Sequence, residues 1–424
     1  MVEIRDCLRD LKFSPTLLIN EEVARLRATG STVYHMGFGE SPFPVHPIIQ
    51  QAISGYSGKN QYLPAAGLGE LRTKAKAYII RKHDINNDAF DALIGPGSKE
   101  LIFDIQLAVE GDLLFPAPSW VSYIPQTYIT GDQVIKMYLG PKDAYKLNGE
   151  ILERTIVESR KEGKNPTKLI LNYPNNPSGM TYRKRELEEI ARVCRKHRIL
   201  IISDEIYAQV AFRRPHRSIA HYYPEGTIVT TGLSKHLSLG GFRLGVMLIP
   251  DELMYISHVI RSIASETFSA VSTPIQYSVL EAFEDNKEIE TYIDYCTEIH
   301  DVVTRYVWNR LKELGVDYAE PQGGFYLYPD FEAYRGTLKE RFGVTGSTEL
   351  AGSLLREAKV AALPGTAFGD RPETLRLRLS TVDFDGLTAL MRYRDGDFPT
   401  EEAFVKAACP RIAEGCDRIV DYFS

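Results

Sequence analysis

The stretch that decides the fold is Gly232-Leu233-Ser234-Lys235-His236-Leu237-Ser238-Leu239-Gly240-Gly241-Phe242-Arg243-Leu244-Gly245, which follows the apolar run 227–231. It places a lysine after a turn of small residues at the end of a predicted strand, and an arginine eight residues later. A lysine that is desolvated in such a place has a lowered amine pKa, which suits Schiff-base chemistry. The arginine offers a planar, two-pronged contact to a phosphate. Taken alone, the segment also fits an ordinary surface lysine.

Apolar runs alternate with amphipathic stretches on both sides of this segment. The predicted strands cover residues 112–115, 168–172, 199–202, 227–231 and 244–249, and a helix is predicted over 183–197. The run 199–202 is apolar at every position, which is typical of a strand buried on both faces. The repetition predicts an α/β fold with a mostly parallel sheet flanked by helices, followed by a smaller α/β domain. We expect a large domain over 46–300 and a small domain formed by 1–45 and 301–424, joined by a long helix over 286–314.

Composition and charge exclude several classes of protein. A formal net charge of −6 over 424 residues gives no electrostatic reason to expect binding to nucleic acid or to an anionic membrane. The short basic cluster 213–217 is expected to be a solvated loop rather than a site for a polyanion. The N-terminus lacks a signal-peptide core, and no apolar run approaches membrane-spanning length.

The cysteines and histidines predict neither a disulfide framework nor a metal site. The cysteines are scattered, odd in number and without a CxxC pair: Cys7, Cys194, Cys296, Cys409 and Cys416. Reduced thiols in the cytoplasm are the simplest interpretation. His216 and His221 have no cysteine or acidic cluster beside them, so no metal is expected there.

Polar residues follow three of the predicted strands. Asn176 lies just after the strand at 168–172, Asp204 and Tyr207 follow the strand at 199–202, and Lys235 follows the strand at 227–231. Each position fits a simple turn or a helix cap. Because ligands bind outside the carboxyl ends of parallel strands, their joint occurrence predicts one binding site at that edge of the sheet.

With these segments in place, the chain resembles the class I/II aminotransferases that use pyridoxal 5'-phosphate (PLP), the fold-type I group. The resemblance runs nearly end to end, through 14–20, 37–43, 62–72, 97–99, 173–179, 203–207, 232–245, 364–369 and 378–380. It implies an enzyme that moves an amino group from an L-amino acid to a 2-oxo acid through a Schiff base on Lys235. It also implies a homodimer with shared active sites.

The resemblance assigns roles to the residues around the cofactor ring. Lys235 is expected to carry the covalent link and then shuttle the proton as general base and acid. Asp204 is expected to pair with the ring nitrogen and keep it protonated. Tyr207 and Asn176 are expected to hydrogen-bond the ring 3'-oxygen, and Trp120 to stack on the ring face.

The resemblance also assigns a phosphate site and a substrate clamp. The residues expected around the phosphate are Gly97, Ser98, Lys99, Ser234, Arg243 and, from a neighbouring subunit, Tyr62, with the helix at 98–109 offering its positive end. Arg378 is expected to clamp the substrate α-carboxylate, with Gly39 and Asn176 close by. Of Arg376 and Arg378, which share one strand face, at least one is expected to be a surface charge.

One position departs from the family pattern. The family often carries a phosphate-binding serine three residues before the lysine, and here that position is Gly232. Ser234 or Ser98 could supply the hydroxyl instead.

Rival functions differ in what the same residues would do. Another PLP reaction of fold type I, a C–S lyase or synthase type elimination, would use the same lysine, aspartate and arginine. A PLP-binding regulatory protein would carry a DNA-binding module, and no such pattern is present. A nicotinamide dehydrogenase is excluded because 95–100 lacks the third glycine of the fingerprint. For the substrate, the loop 43–46 and Tyr123 hint at a neutral or aromatic side chain.

Overall fold

The computed structural model describes residues 3–9, 11–316, 318–396 and 398–424. The strands are β1 Tyr34–His35, β2 Phe90–Gly95, β3 Asp112–Ala117, β4 Val134–Tyr138, β5 Pro166–Asn172, β6 Leu200–Asp204, β7 Thr227–Gly232, β8 Gly245–Pro250, β9 Tyr326–Leu327, β10 Val360–Ala361, β11 Leu363–Pro364 and β12 Leu377–Ser380. The helices are α1 Pro15–Ala28, α2 Pro47–Tyr56, α3 Gly69–Lys82, α4 Ser98–Ala108, α5 Tyr123–Thr130, α6 Gly149–Lys161, α7 Lys184–His197, α8 Met254–Glu266, α9 Thr273–Ser278, α10 Lys287–Glu313, α11 Arg335–Phe342, α12 Ser347–Ala358, α13 Gly386–Asp395, α14 Glu401–Ala408 and α15 Pro410–Phe423.

A seven-stranded sheet in the order β2-β8-β7-β6-β5-β3-β4 forms the centre of the molecule. The neighbouring pairs β7-β6, β6-β5, β5-β3 and β3-β4 are parallel, and β8 runs antiparallel to its two neighbours, β2 and β7. The predicted α/β fold with a mostly parallel sheet is therefore confirmed. The strand boundaries differ from the predicted ones by one or two residues, and β6 continues through Ser203 and Asp204, which the apolar pattern placed after the strand.

Both faces of the sheet are covered, as the uniformly apolar strands predicted. Ile202 and its neighbours in the sheet pack against α4 and α8, whereas Ile201 packs toward α6 and α7. Both side chains are 0% exposed. Burying such a side chain stabilises the fold by about 1.5–3 kcal/mol, so alternate positions anchor helices on opposite faces.

The C-terminal part of the chain forms smaller sheets against the same core. β11, β12 and β9 make an antiparallel sheet, and β1 from the N-terminal segment pairs in parallel with β10. The long predicted helix is α10, which the Asn286 side chain caps by accepting from the backbone N–H groups of Glu288 and Ile289. α10 runs continuously across residue 300, so the chain on either side of that residue is connected by a continuous helix.

The thiols and the helices bear on two further expectations. All five cysteines are free, and four of them are buried. No helix in the described ranges combines the length and the apolar character needed to cross a membrane.

Candidate active site

A cavity of about 430 Å³ lies at the carboxyl edge of the sheet, beyond β5, β6 and β7. Most of the predicted site residues line it: Gly39, Ser98, Lys99, Trp120, Asn176, Asp204, Tyr207, Ser234, Lys235, Arg243 and Arg378. Gly97 lies behind the wall, against Arg243. Tyr62 is the exception, since it does not line the cavity and is 94% exposed.

Lys235 extends from the turn after β7 into this cavity. Its Nζ donates a hydrogen bond to the Gly39 carbonyl oxygen at 2.8 Å and lies 5.5 Å from the centre of the Tyr207 ring. Burial first, and then the positive charge of Arg378, lowers the pKa of Lys235 to about 8. The lowered pKa expected from the sequence is therefore present, and the neutral amine is accessible near neutral pH.

Asp204 ends β6 with its carboxylate in the same cavity. The Tyr123 hydroxyl donates to Oδ2 at 2.5 Å, and the Ile206 N–H donates to Oδ1 at 3.3 Å. Burial raises the pKa of Asp204 to about 6 against these two hydrogen bonds. A cation placed against this carboxylate would favour its ionised form, which is the environment that a protonated ring nitrogen requires.

Two tyrosines and an asparagine form the wall beside Lys235. The Tyr207 and Tyr326 hydroxyls are 2.7 Å apart, and burial raises the pKa of Tyr207. Asn176 is 4% exposed and is held by its backbone N–H, which donates to Asn172 Oδ1 at 2.8 Å. Asn172 in turn donates through Nδ2 to the Asp204 carbonyl oxygen at 3.0 Å, so β5 and β6 fix the polar groups together.

Arg378 lies in β12 and is only 2% exposed. Its guanidinium donates to the Gly37 carbonyl oxygen and to Asn176 Oδ1, the latter at 3.3 Å, and lies 4.6 Å from the centre of the Tyr326 ring. Within the described ranges no carboxylate pairs with it, its Nε has no hydrogen-bond partner, and burial lowers its pKa. A buried cation without an anion is an anion-binding group.

The expectation that Arg376 or Arg378 is a surface charge is wrong. The Arg376 side chain is 14% exposed and pairs with Asp330 at 2.8 Å and Asp370 at 2.9 Å. The two arginines therefore differ in partners rather than in burial, and only the pair around Arg376 is internally neutralised.

Glycines at positions 97 and 245 allow Arg243 to lie against the N-terminus of α4. Gly97, with φ +87°, precedes the helix, and a Cβ on it would lie 2.3 Å from Arg243 Nη2. A Cβ on Gly245 would lie 2.5 Å from the Ser98 nitrogen. Arg243 donates to the carbonyl oxygens of Gly240 at 2.9 Å and Pro96 at 3.0 Å. This arrangement of a helix N-terminus and a guanidinium suits a phosphate.

Gly232, the departure from the family pattern, lies at a close approach between β7 and β8. It pairs with Gly245, and a Cβ on it would lie 2.8 Å from the Leu244 carbonyl oxygen. A serine would require the backbone of β8 to move. Hydroxyls that line the cavity near the lysine and the helix are those of Ser234 and Ser98.

Lys99 and Trp120 form the mouth of the cavity. The Lys99 ammonium lies 5.2 Å from the centre of the Trp120 ring, a cation–π distance. Burial, and then the charge of Arg243, lowers the pKa of Lys99. The N-terminal residues Ser14, Thr16 and Leu17 also reach the cavity and cover this side.

Glu205, next to Asp204, forms a separate buried cluster that sequence reasoning missed. We call it the Glu205 hub: Glu205 with the donors His83, His216, Ser203, Ser218 and Tyr173. The two histidine nitrogens lie 2.6 and 2.9 Å from the carboxylate, and the ligand atoms of the three residues lie within 4.8 Å of one another. Burial alone would raise the pKa of Glu205, but His216 and His83 outweigh it and lower the pKa. These contacts are those of a hydrogen-bonded ionised carboxylate.

The structure corrects three minor expectations. His216 belongs to this hub and is 6% exposed, so the basic cluster 213–217 is not simply a solvated loop. Phe43 is 4% exposed and packs edge-on against His300 in the core, and Tyr123 is committed to Asp204. Neither aromatic ring marks a pocket for the substrate side chain.

Sequence reasoning also missed Tyr326, Asn172 and the contact of Tyr123 with Asp204. Asn172 could have been found, because it is the last residue of a predicted strand. The alternation in Phe325-Tyr326-Leu327-Tyr328 indicates a strand, but nothing local shows which tyrosine meets Tyr207. The contact of Tyr123 with Asp204 joins positions 81 residues apart and depends on tertiary packing.

Comparison with known proteins shows which family this chain belongs to. The family model "Aminotransferase class I and II" matches residues 33–392. A probable aspartate/prephenate aminotransferase of Aquifex aeolicus is 33% identical over 381 residues, covering 87% of this chain and 91% of that protein. An aspartate aminotransferase of Bacillus subtilis is 29% identical, covering 87% of this chain and 92% of that protein.

Solved structures support the fold. The aspartate aminotransferase of Thermus thermophilus with maleate superposes with a TM-score of 0.83 at 24% identity, covering 99% of this chain and 100% of that chain. The aromatic aminotransferase of Pyrococcus horikoshii gives 0.76 at 24% identity, covering 94% of this chain and 99% of that chain. The fold, cofactor and reaction class implied by the sequence resemblance are thereby confirmed. The chain belongs to the class I and II aminotransferase family, whose members are PLP-dependent transaminases.

Proposed function

We propose that this cavity transfers an amino group between amino acids and 2-oxo acids with Lys235 as the proton carrier. The observation that carries the proposal is the convergence of three unmatched groups in one cavity. They are an amine with a pKa of about 8, a buried carboxylate with a pKa of about 6, and a buried guanidinium that no carboxylate of the described residues neutralises.

The residues present fit PLP. Asp204 suits the ring nitrogen, Tyr207 and Asn176 suit the ring oxygen, and the α4 N-terminus with Arg243 suits the phosphate. Trp120 is the aromatic residue available to stack on the ring. When bound, PLP draws electrons from the substrate α-carbon and so makes its proton removable.

Lys235 is placed to hold and move that proton. Its Nζ, which is neutral above about pH 8, would take the proton from the substrate α-carbon and deliver it to the cofactor carbon that receives the amino group. The Gly39 carbonyl oxygen keeps Nζ inside the cavity, and the rings of Tyr207 and Phe325 exclude water from it. Asp204 has the opposite requirement, because its carboxylate must remain ionised while the Lys235 amine is neutral.

Arg378 supplies the anchor for the substrate α-carboxylate. Its guanidinium is pre-oriented by Asn176, the Gly37 carbonyl oxygen and the Tyr326 ring, so little side-chain entropy is lost on binding. A carboxylate at Arg378 places the α-carbon within the same cavity as Lys235.

We assign a dicarboxylic substrate to this enzyme, with Lys99 holding the second carboxylate. Lys99 is a cation of the cavity mouth that forms no ion pair within the described ranges, and it faces the same space as Arg378. Two cations in one cavity match two carboxylates. Curated relatives named as aspartate aminotransferases support the assignment.

Half-reactions with single amino acids test the assignment. We expect aspartate or glutamate to release a free 2-oxo acid and to leave the bound cofactor in its aminated form, whereas an elimination would release ammonia and leave the cofactor as the aldehyde. Lys99→Gln should lower kcat/KM for aspartate about 10- to 100-fold and leave alanine nearly unchanged. Lys142→Gln, which removes a lysine outside the cavity, is the matched control. Equal losses for both amino acids would contradict the role of Lys99.

We propose a homodimer in which Tyr62 reaches the phosphate of the neighbouring active site. The Tyr62 side chain is 94% exposed, so it does not contribute to packing within one chain. The Thr273 hydroxyl fixes the loop that carries it by donating to the Gln61 carbonyl oxygen at 2.6 Å. Apolar side chains of α8, including Tyr255 at 68% exposed, offer further surface for a partner subunit.

Mixed dimers test this arrangement directly. Tyr62→Ala and Lys235→Ala homodimers should both be impaired, whereas mixed dimers should regain one wild-type site each. Recovery on mixing would place Tyr62 in the site of the other chain. An unchanged sum of the two activities, with mixed dimers verified by mass, would contradict it.

We also propose the division into a large domain at 46–300 and a small domain at 1–45 plus 301–424. The parallel pairing of Tyr34 with Val360 supports assigning the N-terminal segment to the C-terminal part. We further propose a cytoplasmic location, which the five free thiols support because a reducing compartment preserves them.

A further inference from the structure

A second cleft, of about 1040 Å³, lies beside the Glu205 hub. It shares no lining residue with the active-site cavity. Its walls come from the end of α3, the residues before α7, the segment 211–217 and the segment 319–322. We call it the rear cleft. Since the proposed transamination does not use it, its chemistry calls for a separate explanation.

The lining of the rear cleft is strongly basic. Of the described residues that line it, seven are arginine or lysine, against two acidic residues, Asp84 and Glu320. Four of the seven are neutralised by carboxylates: Arg81, Lys82, Arg213 and Arg217. Arg183 and Arg214 form no ion pair within the described ranges, and Lys184 has only Glu188 at 3.9 Å. A concave surface with surplus positive charge concentrates anions.

His216 provides an observation independent of the surface charge. It lines the rear cleft and is 6% exposed, and its Nδ1 is buried without a hydrogen-bond partner among the residues that the structure describes. Nε2 contacts Glu205 at 2.9 Å, while Tyr173 stacks on the ring and His83 packs against it edge-on. Nδ1 lies on the other side of the imidazole ring from Glu205. A buried polar atom without a partner normally marks a missing ligand or water.

We propose that the rear cleft binds a small phosphate-bearing anion, held by Arg183, Lys184 and Arg214 at the rim and by His216 at the floor. The first turn of α7 starts at Lys184 within the lining, and its dipole adds to the attraction, while the Glu186 carboxylate of that turn accepts from the Arg183 N–H at 2.6 Å. Two guanidinium groups favour a phosphate over a monovalent halide because they bind its oxygens in a planar, two-pronged way.

The bound anion is connected to the active site through two side chains. His216 contacts Glu205, and Glu205 is covalently adjacent to Asp204. With the anion accepting from Nδ1–H and Glu205 accepting from Nε2–H, both ring nitrogens would be donors, so the imidazole would bridge the two anions as a cation held in one orientation. The rear cleft is therefore a ligand site placed one residue from the group assigned to the cofactor ring.

Calorimetric titration of the PLP-loaded dimer or monomer with inorganic pyrophosphate tests the proposal. With PLP bound, the phosphate site at α4 is already filled, so new binding reports on other sites. We expect saturable binding of about one pyrophosphate per chain. Arg183→Ala combined with Arg214→Ala should weaken it at least about tenfold, since two charge-assisted contacts are lost.

The matched control is Arg185→Ala with Arg192→Ala, which removes two exposed arginines of α7 outside the cleft. We expect it to keep the wild-type affinity, whereas His216→Gln should weaken binding if the variant folds. Three results would overturn the proposal: no saturable binding, equal weakening in both double variants, or unchanged binding in the cleft variant. Unchanged binding in the cleft variant would indicate that pyrophosphate binds elsewhere, for example at Arg378.

Discussion

Asp204 and Glu205 are neighbours in sequence with buried carboxylates, yet the end of β6 places them in opposite environments. Asp204 faces the cavity and receives hydrogen bonds from Tyr123 and Ile206, and burial raises its pKa to about 6. Glu205 faces the hub, where histidines, serines and a tyrosine surround it, and its pKa is lowered despite burial. The number of donors and the positive neighbours, rather than burial, decide whether a carboxylate is kept charged.

The contrast separates a group available for chemistry from a group committed to structure. Glu205 has its hydrogen-bonding capacity filled by the protein, so it stabilises the fold and has little left to offer a ligand. Asp204 is left short of partners, and its full charge awaits a cation in the cavity. The two residues should therefore respond in opposite ways to substitution.

The largest effect is expected from Lys235→Ala, which removes the amine on the Asp204 side while leaving the hub intact. Transamination should fall at least about 10⁴-fold, because the proton carrier and the covalent anchor are lost together. The unfolding midpoint should change little. Steady-state assays with aspartate, together with thermal unfolding, check both statements. Near wild-type turnover would show that a group other than Lys235 carries the proton.

Asp204→Asn should lower kcat about 10³-fold and yet stabilise the apoenzyme. Folding raises the pKa of the Asp204 carboxyl from 3.8 to about 6, so the folded wild-type protein loses stability as pH rises through this interval. The asparagine variant does not undergo this loss. At about 1.4 kcal/mol per unit, the loss approaches about 3 kcal/mol at pH 7. Urea unfolding of both apoenzymes at pH 5 and pH 7.5 should show the gap widening at the higher pH. A gap that narrows would contradict the raised pKa.

Glu205→Gln should act in the opposite sense and destabilise the fold by about 3 kcal/mol. The amide keeps the shape but loses the charge that accepts from His83 and His216, and it places an NH₂ against donors. Since the pKa of Glu205 is lowered on folding, its stabilisation is present above pH 4.5 and is lost as pH falls below it. Urea unfolding at pH 7.5 measures the effect. A variant as stable as the wild type would show that the hub carries no net stability.

The smallest effect concerns the pH at which the apoenzyme recaptures PLP. Only the neutral amine of Lys235 attacks the aldehyde, so the rate should rise with pH up to about 8 and then level off. Arg378→Gln removes a positive neighbour and should move this inflection upward, toward the ordinary value of 10.5. Stopped-flow absorbance from pH 6.5 to 9.5 follows both. An inflection that stays fixed would assign the lowered pKa to burial alone.

The fold and the residues that follow strands could be predicted from the sequence. Lys235, Asp204 and Asn176 each come just after an apolar run, and the parallel topology brings those positions together without further information. The amphipathic spacing of α7 and α10 likewise defined their bounds to within a residue or two.

The remaining groups could not be predicted because they depend on packing between distant segments. Tyr123 and Tyr326 enter the site through tertiary contacts, and Arg376 differs from Arg378 only because Asp330 and Asp370 lie beside it. The Glu205 hub was missed for the same reason, since His83 lies 122 residues away in sequence. Tyr62 stays a prediction about a neighbouring subunit.

The close approach of Gly232 to β8 limits which side chains position 232 can accept. A single mutation to serine meets the Leu244 carbonyl oxygen, and relief there presses Gly245 toward the Ser98 nitrogen. Introducing a hydroxyl at position 232 therefore requires a coupled change along the neighbouring strand rather than a single substitution.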